Sequence, residues 1–445
     1  MARQPMSEAE AGEVLAAASR FGINPSLRTI TRLCEALGQP QRAYRVVQVG
    51  GTNGKGSTAR MTDALLRAHG SRSGVFVSPH LHSMTEHVLI DGEPVSGELF
   101  AAAVGVVAET VRALGDTLPE PPTQFELLTA AALWVLRDAG VEWAVLEVGM
   151  GGRWDSTSVA VPEVAVVTSV GLDHVEYLGP TLERIAWDKA HIIRAGAVAI
   201  VGPGTAEVDP VFADRAREVG ARLVRVRPAE VAEPSDVTFT VTGEIDSPDG
   251  ATTISVRIGD EEYGPLKVNG PGYQAGNAAC ALAAARFALG EPLDARAADS
   301  AYRELRIPGR FEVIARDPWI VADAAHNPSG ARALADAVKH AFGGQKVTVV
   351  LGMLSDKDAA SVARELAGIA ERFITVRPES PRALDAAALA ARVGEVTGGE
   401  PLVCESVADG LARARLSGAG VLVTGSVVTV AEARVEYGLS PQRRV

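Results

Sequence analysis

Cysteine is scarce in this chain of 445 residues: Cys34, Cys280 and Cys404 stand far apart and form no Cys-x-x-Cys pair. That excludes a thiolate zinc knuckle, a redox dithiol and a disulfide scaffold, and leaves three buried, reduced thiols as the expectation. Runs of Lys and Arg are missing too. With a formal net charge of -12, nucleic acid is not an expected partner, because neutralising a phosphate backbone needs clustered basic residues. No apolar stretch reaches the roughly 18 residues that a membrane span requires. The segment Met1–Ala11 carries Ser7, Glu8 and Glu10 in place of the apolar core of a secretory signal. These absences predict a cytoplasmic chain with no membrane association, acting on small molecules; a monomer is the accompanying expectation.

What is present is the composition of an ordinary folded protein, 47% apolar and 22% charged, long enough for roughly two or three domains of about 150 residues. From Arg45 onward, short β-branched runs alternate with amphipathic segments of helical length, the pattern of parallel strands joined by crossover helices. Strands are expected at Val46–Val49, Gly74–Val77, Trp143–Val148, Val164–Val170 and Ala197–Val201, and helices at Ser57–His69, Gly97–Leu114, Thr123–Ala139 and Thr181–Arg194. Between Asp236 and Val268 the texture changes. Alternating runs at Val237–Val241 and Thr253–Ile258 flank Asp246-Ser247-Pro248-Asp249-Gly250 and predict an inserted antiparallel hairpin. Helical segments Gln274–Leu289 and Ala295–Leu305 end at Ile307-Pro308-Gly309, which marks a domain boundary. Beyond it the alternation resumes through Trp319–Ala322, Ser329–Phe342, Lys346–Leu351, Asp358–Arg372, Phe373–Val376, Ala383–Val396, Leu402–Cys404, Val407–Ala414 and Val421–Thr424. The expected fold is therefore α/β: residues 1–306 form a phosphate-loop domain with a parallel sheet and a small antiparallel insert, and residues 307–445 form a smaller Rossmann-like domain.

The strongest local signal is Gly50-Gly51-Thr52-Asn53-Gly54-Lys55-Gly56-Ser57-Thr58, directly after a buried strand and before a helix. Glycines let backbone N–H groups turn inward, the helix start adds positive potential, and Lys55 can reach terminal phosphates. The spacing departs from GxxxxGK[ST], because Gly56 separates Lys55 from Ser57. Glu147 ends an apolar strand, at the carboxyl edge where α/β sheets bind ligands, and a carboxylate there suits Mg²⁺ held against ATP phosphates; capping the following loop is the alternative. His174 follows another strand in the same way.

From Gly51 to Ser57 the chain resembles the folylpolyglutamate synthase and dihydrofolate synthase family, relatives of the Mur peptide ligases. The resemblance continues through Ser78-Pro79-His80-Leu81, Thr123–Glu126, Glu147–Arg153, Leu172-Asp173-His174 and Lys189. It then runs through Pro308–Glu312, Asp323–Pro328, Gly352–Asp358 and Thr424-Gly425-Ser426, so that nearly the whole chain is covered. It implies an ATP-dependent ligase that joins L-glutamate to dihydropteroate or a reduced folate through an acyl phosphate. It further implies ATP contacts at Gly51–Ser57, Asn277, Arg310 and Asp323, and metal contacts at Ser78, Glu147 and His174. The pteridine pocket would use Thr123, Phe125 and Asp155, and the glutamate pocket His326 and Ser426. Thr123 could instead cap the helix after it and Phe125 could belong to the core. Lys55, His174 and Lys189 are the expected catalytic set, Lys189 matching a lysine that reacts with CO₂ to form a carbamate; an ordinary ion pair with Asp188 or Asp173 is the alternative.

Several residues depart from the family pattern. Ser156-Thr157-Ser158 replaces a common Ala-Thr-Asn, Asp188-Lys189-Ala190-His191 a common Glu-Lys-Ala-Gly, and Glu86-His87 a usual Glu-Arg. They leave room for a sister amide ligase acting on another carboxylate or amine.

Overall fold

The computed structural model describes residues 6–233 and 236–439. Residues 1–5 of the polar N-terminus and 440–445 of the second predicted domain lie outside the described residues. Eleven strands make the first sheet: β1 (Arg45–Gly50), β2 (Ser73–Phe76), β3 (Val88–Ile90), β4 (Glu93–Pro94), β5 (Trp143–Glu147), β6 (Val164–Ser169), β7 (Val198–Gly204), β8 (Arg222–Pro228), β9 (Val237–Gly243), β10 (Ala251–Ile258) and β11 (Glu261–Asn269). Their spatial order is β11-β10-β9-β8-β7-β6-β1-β5-β2-β3-β4. Pairing is parallel from β9 through β2 and antiparallel at both ends.

Alternation along the central strands sends side chains to both faces, and both faces are covered, as a parallel sheet demands. Val47, Val49 and Val145 pack against helices Lys55–Ala68, Tyr273–Leu289 and Ala295–Glu304. Val46, Ala144 and Leu146 pack on the other side against Gly97–Leu114, Gln124–Asp138 and two N-terminal helices, Glu8–Ala18 and Arg28–Ala36. Helix Tyr273–Leu289 is alanine-rich and buried along most of its length, so its backbone can lie close both to the sheet and to helix Lys55–Ala68 beside it.

Six further strands form the second sheet: β12 (Glu312–Arg316), β13 (Trp319–Ala322), β14 (Val347–Leu351), β15 (Ala370–Thr375), β16 (Leu402–Val403) and β17 (Val421–Thr424), in the order β12-β13-β17-β14-β15-β16. Among the described residues only β12 runs antiparallel. The α/β expectation holds, with three local corrections. The predicted hairpin is a three-stranded antiparallel extension of the main sheet; β11 escaped notice because Glu262, Gly264, Pro265 and Lys267 face outward and leave only Tyr263, Leu266 and Val268 as an apolar pattern. The helix expected over Thr181–Arg194 runs only Leu182–Ala190. The one expected over Asp358–Arg372 stops at Leu366, and after Gly368 the chain enters β15 beside β14.

All three cysteines are buried and free. Among the described residues no helix is long and apolar enough to cross a membrane.

Candidate active site

The two sheets turn their carboxyl edges toward one cleft of about 1160 Å³. From the first sheet come the loop after β1, Ser78 after β2, Glu147 at the end of β5, and Asp173 and His174 after β6. From the second come Asp323 and His326 after β13, Lys357 after β14 and Ser426 after β17. Ligands of open α/β sheets bind at such edges. Every predicted site residue lines this cleft.

The loop after β1 needs its glycines for space. A Cβ on Gly51, which has φ +140°, would lie 2.0 Å from Thr168 Oγ1, and one on Gly54, at φ +83°, would lie 2.2 Å from Asn277 Oδ1. β6 holds the loop in place. Thr168 Oγ1 donates to Asn53 O at 2.6 Å, Asn53 N–H donates to Ser169 Oγ at 2.9 Å, and Gly171 N–H donates to Thr52 Oγ1 at 3.0 Å. Lys55 opens helix Lys55–Ala68, so the unsatisfied N–H groups of that helix start and the Lys55 ammonium occupy one place. Its Nζ donates to Thr52 O at 3.2 Å, and among the described residues it has no carboxylate partner within ion-pair distance. Ser57 is buried and accepts a long 3.5 Å bond from Gln274 Nε2, while Asn277 Nδ2 donates to Gln274 Oε1.

Glu147 is buried, and its Oε2 accepts the Ser78 N–H at 2.9 Å. Burial raises its pKa against the pull of Lys55, the Ser78 N–H, Arg310 and Arg60. His174 sits at φ +51°, a left-handed backbone that turns its ring into the cleft, and burial lowers its pKa to about 4. Among the described residues no cluster of three or more His, Cys, Asp or Glu side chains is placed to hold a metal by itself. One carboxylate, one imidazole and the Ser78 hydroxyl therefore suit a hard cation that brings phosphate and water oxygens of its own.

Lys189 is buried beneath the loop, its Nζ donating to Gly51 O at 2.9 Å. Desolvation, reinforced by Lys55, lowers its pKa to about 7. Asp188 points elsewhere, accepting the Arg153 N–H at 3.4 Å, and Asp173 is engaged by Lys357, so neither makes the direct ion pair that was the alternative for Lys189.

At the end bounded by Thr123, Phe125, Trp154 and Asp155 the local alternatives are visible in the geometry. Thr123 caps helix Gln124–Asp138, accepting from Glu126 N–H in a reciprocal capping box. Phe125 lies 5.9 Å from Phe76 and blocks any side chain at Gly149, where a Cβ would meet its Cζ at 2.6 Å. Asp155 accepts from Met150 N–H, Thr157 N–H and Thr157 Oγ1, so most of its acceptor capacity holds its own loop. The departure at Ser156-Thr157-Ser158 is a buried 3₁₀ turn fastened to β1 through Gln48 Nε2, which donates to Thr157 Oγ1 and Ser158 Oγ. His191 donates to Trp187 O and stacks edge-on against that ring.

Across the cleft, Asp323 accepts from Tyr273 Oη, Phe311 N–H and Ala325 N–H. Ser426 caps helix Val427–Glu436. His326 donates Nδ1–H to Ala324 O and turns Nε2 toward Asp173 Oδ2 at 3.6 Å. Arg310 donates to Gly309 O at 3.0 Å. Sequence reasoning assigned Asn53 to ATP and weighed Asp173 against Lys189, but did not foresee that these residues join the halves. Asn53 and Asn327 exchange amide hydrogen bonds of 3.1 and 2.9 Å, and Lys357 pairs with Asp173 at 2.7 Å. Burial would raise the pKa of Asp173, but His326, His174 and Lys357 overcome it and hold the carboxylate well below its usual range. Lys357 could have been found by its place just after a buried strand. The cleft wall Gly22-Ile23-Asn24 offered no signal, being a short loop without chemistry-bearing side chains.

Two sheets sharing a cleft, with a glycine-rich loop on one side, form the architecture of a Mur-type ligase. Residues 49–285 match the model of the Mur ligase middle domain and 309–427 that of the Mur ligase glutamate ligase domain. The Mycobacterium tuberculosis dihydrofolate synthase/folylpolyglutamate synthase is 35% identical over 459 residues, covering 94% of this chain and 91% of that protein. Its Escherichia coli K12 counterpart is 35% identical over 372 residues, covering 84% and 82%. Among solved structures, the M. tuberculosis folylpolyglutamate synthase complexed with ADP and AMPPCP superposes with a TM-score of 0.90 at 34% identity, covering 98% of this chain and 100% of that one. E. coli FolC in complex with DHPP and ADP superposes with a TM-score of 0.85 at 31% identity, covering 97% and 98%. The chain belongs to the dihydrofolate synthase/folylpolyglutamate synthase family of Mur ligases.

Proposed function

We propose that this protein is an ATP-dependent ligase that joins the amine of L-glutamate to the carboxylate of dihydropteroate, a reduced folate, or both. The observation that carries this reading is the shared cleft, in which a phosphate loop on one sheet edge faces His326 and Ser426 on the other. A carboxylate oxygen attacks the γ-phosphorus of ATP, ADP leaves, and the acyl phosphate forms beside Lys55, whose ammonium stabilises charge spreading over the phosphoryl oxygens. The glutamate nitrogen then attacks the acyl carbon, phosphate departs, and the amine proton passes to solvent. Closing the cleft protects the acyl phosphate from water.

Relatives of known structure take ADP with DHPP, or AMPPNP with a manganese ion. In this chain ATP would lie along Gly51–Ser57 with Asn277, Arg310 and Asp323, and the pteridine against Thr123, Phe125 and Asp155. Ser78, Glu147 and His174 would hold Mg²⁺, which when bound neutralises phosphate charge. Lys189, neutral over part of the physiological range, is suited to capture CO₂ as a carbamate. The catalytic division falls between 1–306 and 307–445, and one chain supplies every group named, which favours a monomer.

The test is ADP release measured across pteroate, folate and unrelated acids, each with and without L-glutamate. Release that needs both a folate-type acid and glutamate is expected. Release with an unrelated acid or another amine would point to a sister ligase, and release with neither acid nor amine to a simple nucleotidase.

A further inference from the structure

The segment after β2 carries a histidine pair for which the reaction outlined above has no use. His87, where the family commonly has arginine, is buried, and its two ring nitrogens are both engaged. Nδ1 lies 2.7 Å from Val77 O and Nε2 lies 2.8 Å from His80 Nδ1, with the two rings edge to face at 4.8 Å. A carbonyl oxygen can only accept. His87 Nδ1 must therefore carry the proton, its Nε2 is left as an acceptor, and His80 Nδ1 must donate to it. His80 Nε2 is then the nitrogen with a free lone pair. His80 lines the cleft, and among the described residues its Nε2 has no hydrogen-bond partner.

The surroundings say which part of the cleft His80 faces. Leu81 packs into the apolar cluster of the second sheet with Val427 and Val430, and His82 Nε2 accepts from Arg434 Nε at 3.1 Å. Both contacts are to helix Val427–Glu436, which Ser426 caps. Glu86 fixes the loop by accepting from the N–H groups of Leu81, His82 and Ser83. His80 is thus held by a loop packed on that helix, in the cleft that Ser426 and Val427 also line, where a free amino acid would set its carboxylate against the N–H groups of the helix start and its amine nearby.

We propose that His80 orients the amine of the incoming amino acid by offering Nε2 as a fixed hydrogen-bond acceptor, and that His87 is the positioning residue that sets this tautomer. Burial lowers the pKa of His87 to about 4, which agrees with a neutral ring there. The amine assignment rests on the ligase reading above; the tautomer does not. An arginine at 87 could only donate, which would make His80 Nδ1 accept and turn an Nε2–H toward the cleft, so the acceptor offered here is particular to chains with histidine at this position and relatives with arginine must hold the amine by another group. Glutamine could replace both functions of His87, its N–H donating to Val77 O and its carbonyl accepting from His80 Nδ1.

The experiment is a long-range ¹H–¹⁵N spectrum of histidine-labelled protein, with His80 assigned from a His80→Gln sample, alongside kinetics. In the parent, His80 is expected as the Nδ1–H tautomer, and in His87→Arg as the Nε2–H tautomer. KM for L-glutamate should rise roughly tenfold in His87→Arg and His87→Ala, the size of one lost hydrogen bond, with the KM for the acid little changed and His87→Gln close to the parent. Melting curves separate misfolded variants from repositioned ones. An Nε2–H tautomer at His80 in the parent would overturn the pair's role. Equal KM values for glutamate in His87→Arg and His87→Gln would overturn the amine contact. If glutamate is no substrate at all, the ligase reading and the amine assignment fall together, and the spectrum alone decides the positioning role.

Discussion

The two edges of the cleft use their polar groups differently. On the first sheet, Lys55 touches only the carbonyl of Thr52 among the described residues, and Glu147 accepts one backbone N–H. On the second, Asp323 has three protein donors and Ser426 caps a helix. Charge without an internal partner is available to a ligand, whereas charge already satisfied sets the shape of the backbone around it. In the proposed reaction Lys55 and Glu147 of the first edge are therefore the groups for chemistry, and Asp323 and Ser426 of the second the groups for position. Substitutions on the first edge should reduce turnover with little change in melting temperature, and those that anchor the second should change both.

The largest effect is expected from Lys55→Ala. Its side chain contributes one hydrogen bond to the fold, so melting should stay near the parent while ADP-forming turnover falls on the order of a hundredfold or more, as for deletion of one electrostatic stabiliser. Near-normal turnover in this variant would break the contrast at its strongest point.

Glu147→Gln and His174→Ala should come next. Each removes one of the few protein groups proposed to hold the cation, and losses of roughly 10- to 100-fold in divalent-cation affinity are typical of damage to such sites. Cation titrations of ADP release that overlay the parent for both variants would make these residues structural.

Asp173→Asn probes the seam between the edges. Asp173 belongs to the first sheet but spends its charge on Lys357 and His326 of the second, so by the logic above it should behave as a position residue. Its loss leaves a nearly buried Lys357 ammonium with a distant 4.0 Å contact to Asp356 in place of the 2.7 Å pair, and both melting temperature and KM for glutamate should suffer. The sign with pH follows from its lowered pKa. A carboxylate held below its unfolded value, about 3.9, stabilises fully above that pH and gives the contribution up as pH falls further. The parent and Asp173→Asn melting curves should therefore converge in acid; a constant gap from neutral pH down to strongly acidic pH would remove the pairing as the cause.

How much of this was legible in the sequence follows the same divide. Groups at the first edge announce themselves locally: glycines before a helix, a glutamate at the end of an apolar strand, a histidine just after another. Phosphate-loop geometry depends on neighbours in sequence, and Gly51 and Gly54 do hold the conformations their pattern implied. The seam was not legible. Asn53 meets Asn327, and Asp173 meets Lys357, across segments that only the tertiary fold brings together. Local pattern also misjudged Thr181–Arg194, where a turn replaces the last helical residues, and β11, whose outward charges hide a strand. Motif resemblance drew the second edge into the prediction, although nothing in the local pattern of Asp323 or Ser426 distinguishes a ligand contact from the capping and loop-holding roles seen in the geometry.

The smallest and most conditional effect concerns Lys189, which lies under the first edge yet is as internally satisfied as the second. Its amine is buried and donates to Gly51 O at 2.9 Å, a bond that a neutral amine or a carbamate N–H can make equally well. Desolvation first, then repulsion from Lys55, lowers its pKa to about 7. The burial cost of the charged form is carried in full below about pH 7 and relieved as pH rises toward the unfolded value, so this group favours folding at higher pH. Reaction with CO₂ needs the same neutral amine, present in roughly one molecule in ten a unit below that pKa and nine in ten a unit above it. After dialysis into CO₂-free buffer, ADP-forming activity should therefore drop severalfold at pH 8 and return when bicarbonate is added, with a smaller response at pH 6. Lys189→Arg, which keeps the charge but cannot form the carbamate, should be weakly active and indifferent to bicarbonate. A parent enzyme whose activity ignores bicarbonate at both pH values, together with density for a bare amine at Lys189, would make this lysine a plain support for the Gly51 carbonyl, and would place it with the position residues of the second edge.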